Sequence, residues 1–324
     1  TYRTSPRAKP EAMLGFHTSA YLQALQQAEA DQHVSEAVRS RHGLGTLSNP
    51  IFPEMYRRPA TAVGGGLLAA ELVAQGGVAF NPGGGTHHGM ADRAAGFCYL
   101  NEPVLTIQRL LAMGISPVAY VDIDAHHGDG VEVAFNGATD VRVISVHESG
   151  RWPFTGQACD HAGGAALNLP VPRGFNDSEF DLLLDQVILP AVARLQPAAI
   201  FLQCGADALS EDPLSKLALS NTAHRRALRA LRPLAPRLIV SGGGGYNPWS
   251  TARCWAGIWA EIMGHKIPGI LPDNARAVLR GLSWARKAQP SKALLSTLAD
   301  CPRMGPIRPE IDALVHTARA RSYP

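Results

Sequence analysis

The stretch "PVAYVDIDAHHGDG" (117–130) decides how this chain is read. It begins as a continuous apolar run. Then, from Val121 to Gly130, it crowds together the carboxylates Asp122, Asp124 and Asp129 and the imidazoles His126 and His127. A surface loop has no need of that mixture, and a core tolerates it only where the groups are partnered. Either these groups satisfy one another or they hold something.

Working outward, four more runs resemble it: "GVAFN" (77–81), "VRVISVH" (141–147), "AIFLQCGAD" (199–207) and "RLIVSGGGG" (237–245). Most are apolar throughout rather than alternating, as strands covered on both faces must be. Between them lie helix-like segments at 63–76, 100–113, 177–195, 221–232 and 249–263, with Asp177 and Asn221 as candidate N-caps. Strands alternating with helices imply βαβ units and a mainly parallel sheet. "PDNARAVLRGLSWARKA" (272–288) also reads as helical. There is no internal repeat, so residues 1–324 are read as a single domain.

Each strand ends in the same kind of residue. "GVAFN" runs into "PGGGTHHG", "PVAYVDID" into "AHHGDG", "AIFLQC" into "GAD" and "RLIV" into "SGGGGY". Ligands bind at the carboxyl ends of parallel strands, so the polar residues share one edge.

The composition excludes several function classes. With 46% hydrophobic and 18% charged residues, the 324-residue chain has the make-up of a globular protein, not of a disordered or fibrous one. No apolar run approaches the roughly 20 residues of a membrane span, and the first residues lack a signal-peptide core. A formal charge of +3 gives no nucleic-acid surface. Five cysteines, odd in number and without a C-x-x-C pair, argue against a disulfide framework or a zinc ribbon. A cytoplasmic location is the expectation.

Asp124 and His126 are two apart, so on extended backbone they point the same way and can approach one metal ion from one side. Asp207 comes from another strand end. One imidazole with two carboxylates suits catalytic zinc, whereas closed structural sites take four Cys or His ligands. Taken alone, Asp124 and His126 are as readily a strand-end cap paired with itself. His87 and His88 follow three glycines and can act as base and acid beside a metal, provided carboxylates fix their tautomers. Asp122 and Asp129 are unassigned carboxylates nearby. Tyr246, behind four glycines, can donate to an oxyanion, or simply pack under a turn. No G-x-G-x-x-G or G-K-[ST] spacing accompanies those glycines, which argues against a nucleotide site. Phe97, Tyr99, Trp152 and Phe154 can line an apolar channel, although spacing alone favours a place in the core.

Taken together, the ordered series "GGGTHHG", "GFCYLNE", "DIDAHHGDG", "LQCGAD" and "SGGGGY" resembles the zinc-dependent histone deacetylase superfamily, which includes bacterial acetoin-utilisation proteins and acetylpolyamine amidohydrolases. The likeness runs from "EAMLGFHTSAYLQAL" (11–25) to "ARCWAGIWAEIMG" (252–264), and "DPLSKLALSN" (212–221) looks closest to the bacterial deacetylase-like branch. It implies a three-layer αβα arginase–deacetylase fold with a central parallel sheet of about eight strands. It further implies hydrolysis of an N-acyl amide, either acyl-lysine in a peptide or protein or a small acylated amine.

The residue roles follow by motif. Asp124, His126 and Asp207 would bind zinc (or ferrous iron). His87 and His88 would form the catalytic pair, backed by Asp122 and Asp129 respectively. Tyr246 would stabilise the oxyanion. Phe97, Trp152 and Leu214 would wall the tunnel, with Gly96 alongside. Oxygens of Asp122, Asp124, His126, Ser145 and Val146 would hold a monovalent cation, usually potassium. The resemblance is also compatible with a homo-oligomer.

Three departures bear on substrate. An N-terminal strand and rim loop expected before "FHT" are not recognised in the sequence. Ser48, in "GTLSNP" (45–50), stands where many relatives carry a substrate-gripping Asp. Trp152 replaces the commoner Phe. Two rival readings remain at this stage: a non-catalytic binder of acylated ligands, which would have no use for the His pair, and the arginase reaction, which needs more bridging aspartates.

Overall fold

The computed structural model describes residues 1–286 and 289–322. The chain opens with helices α1 (Ser19–Asp31), α2 (Glu36–His42) and α3 (Arg57–Leu72), then enters β1 (Gly77–Asn81). There follow α4 (Glu102–Ala112), β2 (Val118–Asp122), α5 (Asp129–Ala134), β3 (Val141–Glu148), β4 (Ala166–Val171), α6 (Asp177–Leu183), α7 (Leu189–Leu195) and β5 (Ala199–Gln203). The remainder is α8 (Asn221–Leu231), β6 (Arg237–Ser241), α9 (Pro248–Met263), α10 (Asp273–Gly281), α11 (Lys292–Ser296) and α12 (Pro309–Ser322).

The sheet is wholly parallel, in the order β1-β6-β5-β2-β3-β4. Among the described residues it has six strands rather than about eight, because the regular elements before β1 are helical. The sequence reading also overlooked β4, whose Pro170 lies opposite His147. Proline cannot donate to a ladder, but β4 is an edge strand, where that costs nothing on the solvent side.

Both faces of the sheet are covered. Along β2, Val118 and Tyr120 enter one apolar cluster with Val104 and Ile107 of α4, while Ala119 and Val121 enter another with Phe180, Val192 and Leu228 of α6, α7 and α8. Alternate side chains therefore go to opposite layers, and both sets are buried, which is why the strands lack a polar face. Each buried Val, Leu, Ile or Phe side chain among them contributes about 1.5–3 kcal/mol of transfer free energy.

The helix expected over 177–195 is interrupted by a π turn at Leu184–Ile188. Pro190, at the start of α7, has no N–H, and Leu189 N bonds back to Leu184 O. The N-caps are Asn176 and Ser220, each one residue before its expected place. Asp177 instead accepts from Ser220 N (2.9 Å), joining the two helix starts. The helical expectation over 272–288 is met at Asp273–Gly281, and its last two residues, 287 and 288, lie outside the described residues.

The order in which strands are added reverses between β2 and β5, although the two run parallel. From β2 the sheet grows one way through β3 and β4, and β5 and β6 pair on the other side. The crevice at such a switch point is where open parallel sheets place ligands. One register line there is polar from strand to strand: Asn81, Ser241, Gln203, Asp122 and Ser145.

Candidate active site

Directly beyond that polar row, β2 ends and the backbone carries Asp124 and His126 forward, while Asp207 arrives from the turn after β5. Their donor atoms lie within 4.8 Å of one another. His126 Nδ1 faces Asp207 Oδ2 at 2.9 Å and Asp124 Oδ1 at 3.3 Å. The other carboxylate oxygens are already engaged: Asp124 Oδ2 accepts from Gly244 N (2.9 Å) and Gln203 Nε2 (3.1 Å), and Asp207 Oδ1 from Ala125 N (2.9 Å). This leaves a converging O, O, N set whose two carboxylates are buried and whose imidazole is partly open to the space above.

The electrostatics suit a cation. Burial works against the His126 imidazolium, but Asp207 and Asp124 outweigh it and hold His126 at about 11. Asp207 is raised to about 6 by burial and by Asp124. The donor set fits a divalent metal with an open position for water or substrate.

The glycines explain how loops come this close. A Cβ on Gly244 would stand 2.1 Å from Asp207 Oδ2, and one on Gly205 1.9 Å from Asp124 Oδ2. Only backbone fits there.

His87 and His88 lie side by side, ring centroids 4.0 Å apart. His87 Nδ1 meets Asp122 Oδ2 at 2.7 Å, and His88 Nδ1 meets Asp129 Oδ1 at 2.7 Å, the two carboxylate partners expected from sequence. With Nδ1 engaged, each ring turns Nε2 toward the site. Their environments differ. Burial disfavours charge on His87, yet Asp122 and Asp124 prevail and raise it to about 9. Burial, with the neighbouring His87 charge, lowers His88 to about 4.

A cleft of about 780 Å³ opens over this floor, lined by His88, His126, Gly96, Phe97, Trp152, Phe154, Leu214 and Tyr246 among others. His88 reaches it and His87 does not. The Trp152 indole stands edge-on to His88 at 4.7 Å, and the Phe97 and Tyr246 rings are 5.8 Å apart. Phe97 and Trp152 are 48% and 39% exposed, so they are walls; Tyr99 is core, with its hydroxyl donating to Pro50 O. Ser48 and Leu47 sit at the mouth. A larger groove of about 960 Å³ follows β1 and is lined by Phe80, Trp259 and Met263, but it contains neither the acid/base pair nor the metal-type cluster.

Ser145 and Val146 lie buried on β3 beside Asp122, with Ser145 Oγ 2.9 Å from His147 Nδ1. Several supporting groups escaped the sequence reading. Tyr120 Oη donates to Asp122 Oδ2 (2.7 Å). Asn101 Nδ2 donates to the carbonyls of His87 (3.2 Å) and Gly89 (2.9 Å). The wholly buried Glu102 accepts from Gly85 N (2.9 Å). In "GFCYLNE" the sequence points to Gly96 and the aromatics, yet its last two residues, Asn101 and Glu102, clamp the His-pair loop.

Comparison with known proteins agrees with this geometry. The histone deacetylase domain family matches residues 1–262. Histone deacetylase 8 of Xenopus laevis is 34% identical over 292 residues, spanning 88% of this chain and 89% of that protein. The acetoin utilization protein AcuC of Bacillus subtilis is 37% identical over 283 residues, spanning 82% of this chain and 73% of that protein. The crystal structure of a histone deacetylase homologue from Aquifex aeolicus superposes with a TM-score of 0.92 at 36% identity, covering 97% of this chain and 87% of that one. A structure of such a homologue complexed with SAHA matches equally well. With its parallel sheet, its metal-type triad and these relatives, the chain belongs to the histone deacetylase family and is a hydrolase of the deacetylase type.

Proposed function

We propose that this protein is a metal-dependent amidohydrolase that removes acetyl or other acyl groups from N-acyl-lysine in peptides or proteins. The observation that carries the reading is the juxtaposition of an O, O, N donor set with a carboxylate-backed His pair on the floor of an aromatic-walled cleft.

Asp124, His126 and Asp207 would hold the metal, zinc (or ferrous iron) by the donor set. Bound there, it supplies Lewis acidity toward the acyl carbonyl and the attacking water. The acyl-lysine stem lies between Phe97 and Trp152, with Leu214 and Gly96 completing the wall, and these side chains exclude bulk water. His88 Nε2 accepts the proton lost by the attacking water, while Asp129 fixes Nδ1 and the orientation of the ring. His87, paired with Asp122, supports charge at the same end of the site. Tyr246 Oη donates to the oxyanion of the tetrahedral adduct. The amine nitrogen takes a proton from the His pair as the C–N bond breaks, releasing amine and carboxylate.

We further propose that oxygens of Asp122, Asp124, His126, Ser145 and Val146 enclose a monovalent cation, potassium by family resemblance, which would steady the loop bearing the metal ligands. Residues 1–324 would act as one catalytic unit: α12 buries Ile311, Val315 and Ala318 in the same cluster as β3 and β5. The free cysteines suit a cytoplasmic setting.

A second reading concerns substrate only. Ser48 at the mouth lacks the carboxylate that would grip a peptide backbone, which favours a small acylated amine. The test is zinc-loaded hydrolysis of an acetyl-lysine peptide, acetylputrescine and longer acyl-lysines. Preferential turnover of the peptides supports the first reading, preference for acetylputrescine supports the second, and no turnover of any with metal bound stoichiometrically overturns both.

A further inference from the structure

The loop that presents Tyr246 is flexible in composition, four glycines long, yet its end is gripped from one side. Asp212 Oδ2 accepts from Tyr246 N at 2.7 Å, and its other oxygen accepts from Leu214 N at 2.8 Å. Next to it, Glu211 O accepts from Asn247 Nδ2 at 3.2 Å, and Asn247 caps α9. Two consecutive residues, 211 and 212, thus hold two consecutive residues, 246 and 247. On the other flank Ala206 N donates to Gly244 O. Asp212 is 5% exposed, and none of its hydrogen bonds is to a metal-type ligand.

A buried carboxylate at this place bears a desolvation cost that a neutral acceptor would avoid, and it also feels the negative charge of Asp207 and Asp124. What it does geometrically is join an oxyanion donor and a tunnel wall through one rigid planar group.

We infer that Asp212 is a positioning residue of the hydrolysis: it fixes the backbone of Tyr246, and with it the phenol, against Leu214 and the cleft floor. The inference rests on the role proposed above for Tyr246. Glycine backbone left without this anchor samples a wide range of φ and ψ, and an oxyanion donor misplaced by about 1 Å loses roughly two orders of magnitude in rate.

The experiment is a double-mutant cycle on the zinc-loaded enzyme with Tyr246→Phe and Asp212→Asn, the latter preserving volume but placing an NH2 group against one of the two N–H donors. Asp212→Asn alone lowers kcat about 10- to 100-fold, with KM within about 3-fold and zinc stoichiometry unchanged. In the Tyr246→Phe background the same substitution lowers kcat by less than about 2-fold, because the group it positions is gone. Multiplicative losses, or an unchanged kcat in the single variant, overturn the inference. Asp212→Ala, which removes both acceptors, repeats the cycle should the Asn variant fold poorly.

A second readout needs no turnover. With 3-fluorotyrosine at position 246, the fluorine resonance is single and sharp in the parent and broadened or displaced in Asp212→Asn. An identical spectrum contradicts the inference. An inactive parent with a displaced resonance would count against the proposed reaction and not against the positioning.

Discussion

Glu102 offers a quantitative test of how the His-pair loop is held. Its carboxyl group is wholly buried at the start of α4, accepting from Gly85 N (2.9 Å), Asn81 Nδ2 (3.1 Å) and Thr106 Oγ1 (3.2 Å). Burial raises it from 4.5 to about 7, and the three donors only partly offset this. A group whose folded value lies above its unfolded one stabilises the fold below the unfolded value. That contribution is lost as pH rises through the folded value. The window here is therefore pH 4.5 to 7, and the size is roughly 3 kcal/mol, from 1.36 kcal/mol per unit. His17, lowered to about 4 by burial, has the opposite slope between about pH 4 and 6.5 and masks the effect in the parent alone. The difference between parent and Glu102→Gln isolates it, since every other group cancels. Urea unfolding of both proteins, equally metal-loaded, at pH 4.5, 5.5, 6.5 and 7.5 should show Glu102→Gln gaining roughly 3 kcal/mol relative to the parent across the series. A difference that stays flat with pH refutes the reasoning: the carboxyl would then titrate alike in both states.

Three other perturbations test separate links. Gly244→Ala forces a Cβ to within 2.1 Å of Asp207 Oδ2, and chelator competition should record at least a roughly 10-fold loss of zinc affinity with far-UV circular dichroism unchanged. Trp152→Leu removes the ring standing 4.7 Å from His88, so the ratio of kcat/KM for longer acyl-lysines over acetyl-lysine should rise several-fold; an unchanged ratio would remove Trp152 from chain-length selection. Arg308→Ala leaves the fully buried Glu179 with only backbone N–H donors, from Asn176 and residue 308, in place of the guanidinium that bonds at 2.6 Å through both Nε and Nη2, and thermal unfolding should reveal a loss of roughly 2–3 kcal/mol.

Much of the site was legible because its chemistry needs specific atoms at strand ends. The carboxylates of 122–129 have no reason to crowd behind a buried strand unless they find partners, and they do: Asp122 and Asp129 meet His87 and His88, and Asp124 meets His126, while His127 turns away to Thr155 and Glu132. What sequence hid was assembly across distance. Gln203, Asn101 and Asp212 are ordinary polar residues until the fold brings them to Asp124, the His87 carbonyl and Tyr246 N. Spacing also misled for Phe97 and Trp152, since an aromatic wall and an aromatic core look alike along the chain; exposure separates them. The edge strand β4 was masked by its own proline, and the strand count implied by resemblance exceeded the sheet because the regular elements of the first 76 residues are helices.

The central claim is that one floor of three metal-type ligands and a backed His pair cleaves an acyl amide under the Tyr246 phenol. The most direct measurement is acetate release from an acetyl-lysine peptide by the zinc-loaded parent, His88→Ala and Tyr246→Phe, with zinc counted in each. The account predicts one zinc per chain in all three, and kcat lowered by about 10²- to 10³-fold in both variants. Turnover retained in His88→Ala or Tyr246→Phe at full zinc occupancy would contradict it.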